Sequence, residues 1–226
     1  MAHEKRIVFQ GSGFIEPLGN PAERKTVFLL SPANMSGPRS RLLFATSSKF
    51  ELASRLRESR VTLAEIFGFV SPLYFRGKFL YAQHFADSFA GAQGIRIITP
   101  AGGLMLPDTL LDLEQLRAIT EGDVDESYPS YRGPLDRDAA ELSQTLDKDV
   151  DVALLGSIAT AKYVQPLLQI FGRRLVFPQE FVGRGDMSRG GLLLRSVRSN
   201  KKLTLIPVLG AIHHGKRPPK LEKSKK

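Results

Sequence analysis

Four glycines, two arginines, one aspartate and one serine crowd into residues 183–191 of the run FPQEFVGRGDMSRGGLLLR (177–195). Glycines permit positive φ and close backbone approach, so N–H groups of the loop and of a following helix can face an anion. The arginines add fork-shaped donors. Gly183, Arg184, Gly185, Ser188 and Arg189 are therefore candidate ligand contacts, and Asp186 is a candidate carboxylate for acid–base work. A tight surface turn whose arginines and aspartate pair with one another fits the same composition. The run is neither GxxxxGK[ST] nor GxGxxG, the two phosphate-binding fingerprints with the clearest mechanics.

Three other loops carry polar residues immediately after an apolar run. TVFLLS (26–31) breaks into SPANMSGPR, which offers Ser31, Asn34, Ser36 and Arg39. Ser31 or Asn34 caps the following helix in the structural alternative. DVALLG (151–156) runs into GSIATAKY, where Gly156 and Ser157 precede a helix expected from about Thr160, with Lys162 and Tyr163 in its first turn. A lysine at a helix N-terminus opposes the helix dipole, and an anion bound nearby would relieve the conflict. GIRIIT (94–99) leads into PAGGLMLPDT, whose Asp108 suits a cap, a turn or general acid–base catalysis. No cofactor and no protein-held metal is expected. There are no cysteines, His3, His84, His213 and His214 lack ligand spacing, and HExxH and GxSxG are absent.

These residues need a scaffold, and the apolar runs supply one. Thr26 to Ser31, Gly94 to Thr99 and Asp151 to Gly156 read as buried strands, and Leu175 to Phe177 and Leu203 to Val208 as a fourth and a fifth strand, separated by helical patterns. Amphipathic helices are expected over Lys49 to Arg60, from Thr62 to Phe69 with Glu65 at capping-box spacing, around Leu113 to Ile119, and from Pro134 to Leu146. In LYFRGKFLYAQHF, residues Tyr74, Lys78, Tyr81 and Phe85 fall on related helix faces, which suits core packing better than base stacking. The alternation of strands and helices predicts an α/β fold with a mostly parallel, Rossmann-like sheet flanked by helices. Ligands of such sheets bind at the carboxyl ends of the strands. The expected organisation is an N-terminal extension (1–25, with IVFQGSGF as an edge strand), one α/β domain (26–212) and a basic tail (213–226) that is disordered in isolation.

Charge is distributed unevenly along the 226 residues, whose net charge is +9. Residues 108–151 hold thirteen acids and four bases, whereas residues 172–226 hold fourteen bases and three acids. A basic face raises the expectation of nucleic-acid binding through counterion release, although a lysine-rich end also serves solubility. No apolar run reaches the length of a membrane span and the start lacks a signal-peptide core, so a cytoplasmic protein is the default expectation.

The succession SPAN, LYFRGKFLYAQ, IRIITPAGGLMLPDT, GSIATAKY and FVGRGDMSRGGLLL, over roughly residues 26–195, resembles the YaaA-like family of peroxide-stress proteins. The resemblance implies a Rossmann-like fold, a stress-response setting and an association with DNA or nucleobase metabolism. Asn34 stands where those proteins have a lysine, so that lysine's role does not carry over. Together, the residues and the resemblance lead to the expectation of a nucleotide- or nucleobase-binding protein acting on an N-glycosidic bond, with Asp186 and Asp108 as the carboxylates. The alternative is a non-catalytic DNA-binding protein that uses its basic carboxyl third.

Overall fold

Phe28 and Leu30 point to one side of a strand and Val27 and Leu29 to the other, and all four are fully buried. A strand with two buried faces belongs at the centre of a covered parallel sheet. The computed structural model, which describes residues 24–87, 94–212, 214–219 and 221, places it there. The chain runs through β1 (Thr26–Leu30), α1 (Pro38–Phe44), α2 (Glu51–Glu58), β2 (Val61–Thr62), α3 (Leu63–Val70), α4 (Tyr74–Phe85), β3 (Ile95–Thr99), β4 (Gly103–Met105) and β5 (Leu110–Leu111). It continues through α5 (Leu113–Thr120), α6 (Pro129–Thr145), β6 (Asp151–Leu155), α7 (Ala161–Phe171), β7 (Leu175–Pro178), α8 (Asp186–Arg198) and β8 (Leu205–Pro207).

The sheet order is β4-β3-β1-β6-β7-β8, and β2 and β5 form a separate two-stranded pair. β3, β1, β6 and β7 are mutually parallel, while β4 and β8 run antiparallel at the two edges. The fold is α/β, as the alternating pattern predicts. One core layer joins Phe28, Leu30, Ile97 and Leu155 to residues of α1–α5 and α8, and the other joins Val27, Leu29, Val152 and Phe177 to α6 and α7. From β1 the chain crosses to β3 on one side, and from β3 it returns to β6 on the other. That reversal opens a crevice at the carboxyl ends of β1 and β6.

Several local expectations change. The PAGG segment turns a hairpin: Thr99 Oγ1 accepts from Gly102 N (2.9 Å) and donates to the Gly103 carbonyl (3.1 Å), which sets up β4. The helix expected from Pro134 begins at Pro129 and carries Pro134 inside it. Helix α8 starts at Asp186, so most of the glycine-rich stretch is helix and not loop. The reason lies in packing against α4. A Cβ on Gly77 would lie 3.0 Å from the Gly190 carbonyl oxygen, and one on Gly190 would lie 2.8 Å from that of Leu73. The two helix backbones touch, and glycine is what lets them.

The described part of the basic tail has no regular structure but lies against the body. Gly183, at φ +70°, leaves room for the backbone of Gly215 and Lys216, and Arg184 donates to the Pro219 carbonyl at 3.4 Å. The expected edge strand IVFQGSGF lies outside the described residues. Among the described residues, no helix is long and apolar enough to cross a membrane.

Candidate functional site

A cleft of about 1390 Å³ opens at the carboxyl ends of β1, β3 and β6. Ser31 to Gly37 after β1, Pro100 after β3, Ser157 after β6, Lys162 and Tyr163 of α7 and Asp186 of α8 contribute to its lining. The segment between α5 and α6 adds Glu121, Asp123, Asp125 and Tyr128. Loops widely separated in sequence meet here because parallel strands deliver all their carboxyl ends to one edge.

The walls are built from particular contacts. Asn34 Oδ1 accepts from Ser36 N at 2.9 Å, which folds the turn after β1. Pro166 has no N–H for the carbonyl of Lys162, and the Tyr131 hydroxyl of α6 donates to that carbonyl at 2.9 Å instead. The proline is thus accommodated, and the turn carrying Lys162 and Tyr163 is fastened to α6. Lys162 Nζ sits 5.2 Å from the centre of the Tyr163 ring, and Arg117 lies 5.5 Å from that of Phe44, so two cations on the lining rest on aromatic faces. The Ser127 side chain and backbone donate to Asp125 Oδ1, and with Lys162 nearby they hold that carboxyl below its usual range.

At the base of the cleft, Lys78 of α4 is 1% exposed. Its Nζ donates to the Ser31 carbonyl at 2.5 Å and to Ser31 Oγ at 2.7 Å, and lies 4.5 Å from the centre of the Tyr74 ring. Burial pushes the Lys78 ammonium down to about 7; Asp186 draws it back up and Arg189 presses it lower. Tyr74 lines the cleft, and its buried hydroxyl makes no hydrogen bond to an acceptor among the described residues. Arg189 is close enough to favour its ionised form, but burial dominates and pushes the hydroxyl up to about 12. Burial also raises the Tyr163 hydroxyl.

Of the residues singled out from sequence, Ser31, Asn34, Ser36, Ser157, Lys162, Tyr163 and Asp186 meet in this cleft. The remaining candidates lie outside its lining. Gly156 packs behind Ser31, where an added Cβ would lie 3.0 Å from the serine Cβ. Arg39 donates to the Phe69 carbonyl at 3.2 Å. Arg184 donates to the Glu180 carbonyl at 3.0 Å and to Ser188 Oγ at 3.2 Å. Gly185 precedes the first turn of α8, and Gly183 accommodates the tail. Arg189 is buried, donating to the Phe181 carbonyl at 3.3 Å and pairing with Asp186 at 3.6 Å. Neither arginine fronts the cleft, because both guanidinium groups are engaged in holding the segment before α8 to the helix. Asp108 lines a separate cavity of about 610 Å³ with Arg76, Phe79 and Ile95, so it does not pair with Asp186.

Reading the sequence overlooks Lys78, Tyr74 and the acidic rim as site residues. The one available signal is a lysine four positions after Tyr74 and three before Tyr81, on the face of α4 that its aromatic neighbours bury. Comparison with protein-family models, with curated proteins and with solved structures gives no match to the chain.

Proposed function

We propose that the cleft binds a nucleobase-bearing small molecule, a nucleoside or its monophosphate, and that Asp186 serves as the carboxylate for cleavage or exchange of its N-glycosidic bond. The observation that carries the reading is the mixed lining at the sheet's reversal point. Phe44 and Tyr128 offer ring faces for a base, Arg117 and Lys162 offer charge for one phosphate, and Asp186 stands on the α8 side of the same hollow. Glu121, Asp123 and Asp125 on the same lining oppose a polyanion, which favours a ligand of low charge over a nucleic-acid backbone. The resemblance to YaaA-like proteins points the same way.

A thermal-shift series over free bases, nucleosides and monophosphates, followed by chromatography of the released base, tests the proposal. Stabilisation by at least one of these ligands is expected, with Asp186→Asn retaining the shift and losing base release. No stabilisation by any of them would sink it.

The charge segregation favours a second reading, duplex binding by the basic carboxyl third. In that case the duplex engages the basic side chains of α8 and the tail rather than the acidic rim. Deleting residues 214–226 then removes duplex binding and leaves ligand binding in the cleft intact.

A further inference from the structure

Ser31 and Lys78 stand in a relation that binding of a nucleobase does not use. Ser31 lines the cleft and the Lys78 amine lies behind it, 2.7 Å from Oγ, buried and, among the described residues, in no ion pair. A serine hydroxyl has one proton to donate. Here it can go to the Leu155 carbonyl at 3.3 Å or, when the amine is neutral, to Nζ at 2.7 Å. The shorter contact to the stronger base is the better hydrogen bond.

Two further features serve the hydroxyl. An added Cβ on Gly156 would lie 3.3 Å from Ser31 Oγ, so the glycine keeps that oxygen clear of a side chain. Tyr74 is on the same lining, and its buried hydroxyl has no acceptor of its own among the described residues. The charged or titratable groups that bear on the amine are Tyr74 on its own helix and Asp186 and Arg189 on α8, with Tyr163 of α7 completing the wall.

We infer that Ser31 and Lys78 form a nucleophile–base pair for acyl transfer, with an ester as the substrate class and the Tyr74 hydroxyl as the donor to the carbonyl oxygen. Ser31 Oγ bonds to the acyl carbon while its proton passes to Nζ, and the carbonyl π electrons move to the oxygen facing Tyr74. Collapse breaks the ester C–O bond, and the alcohol leaves with the proton from Nζ. Water, giving its proton to the same amine, then adds to the acyl-serine and releases the carboxylic acid with Ser31 restored. The inference goes beyond the nucleobase reading and does not depend on it.

A fluorophosphonate probe tests the pair without knowledge of the substrate. Its phosphorus bonds to an activated serine oxygen as fluoride leaves and the hydroxyl proton goes to the base. Intact-mass measurement of the full chain is expected to show one adduct, and peptide mapping to place it on Ser31. The rate should rise with pH through about 7 as the amine becomes neutral. Ser31→Ala should give no adduct, and Lys78→Met should label at least about 100-fold more slowly while its circular dichroism matches wild type. Should Lys78→Met fail to fold, the wild-type rate profile between about pH 6 and about pH 9 decides the matter. No adduct on Ser31 of the folded protein, or a rate that stays flat over that range, overturns the inference and leaves Lys78 as a strut beneath β1.

Discussion

Lys78 is enclosed by the rings of Tyr74 and Phe75 and bonded to two oxygens of one serine, so its charge is held by dipoles and ring faces, with Asp186 of α8 adding a favourable charge. Folding lowers its pKa from 10.5 to about 7, which means that between those values the unfolded chain binds more protons than the native protein. Stability from this residue therefore rises with pH across that window and is flat below it. Denaturant titrations of wild type and Lys78→Met should show the difference in unfolding free energy moving in favour of wild type from about pH 7 towards about pH 10. Arg189 calls for a different prediction, because its guanidinium is spent on the Phe181 carbonyl and lies over the Phe181 ring. Arg189→Ala should cost about 2 kcal/mol or more of stability, read from the shift in denaturation midpoint, since it bares a buried carbonyl and removes packing.

At the scale of elements, the contact between α4 and α8 is made by backbone. Gly190→Ala drives a methyl to within 2.8 Å of the Leu73 carbonyl oxygen, so the helices must separate. A loss of about 1–3 kcal/mol is expected despite alanine's better helix propensity. The adjacent Gly191→Ala meets only the end of the Leu221 side chain at 3.5 Å and should be neutral or stabilising by up to about 1 kcal/mol. Parallel thermal melts of the two variants separate a packing requirement from a general intolerance of α8. The first turn of α7 depends similarly on α6. Tyr131→Phe leaves the Lys162 carbonyl without its donor and should cost about 1–2 kcal/mol, while loosening the turn that brings Lys162 and Tyr163 to the cleft. Faster amide exchange confined to that turn is the local readout.

Over the whole molecule, charge separates into an acidic middle segment and a basic carboxyl third. The first supplies the rim of the cleft through Glu121, Asp123 and Asp125, and the second supplies α8 and the tail. Duplex association, if measured, should weaken steeply as salt rises, whereas the affinity of an uncharged nucleoside for the cleft should change little. Titrations of both ligands at low and moderate salt distinguish the two surfaces, and equally steep slopes for both would contradict the division.

Hydrophobic runs such as TVFLL and DVALL determined the sheet from sequence alone, because a strand buried on two faces has few other ways to satisfy its side chains and its backbone together. The cap of Thr62 on Glu65 was legible because it is local chemistry within one turn. Contacts across long stretches of chain were decided only in three dimensions. Gly190 reads as a loop residue until Leu73 and Gly77 are seen beside α8, since composition does not distinguish a backbone held open for an anion from one held open for a helix. Lys78 likewise looks like one polar residue on an aromatic helix, and only the packing of α4 beneath the end of β1, 47 residues earlier in the chain, brings its amine to Ser31.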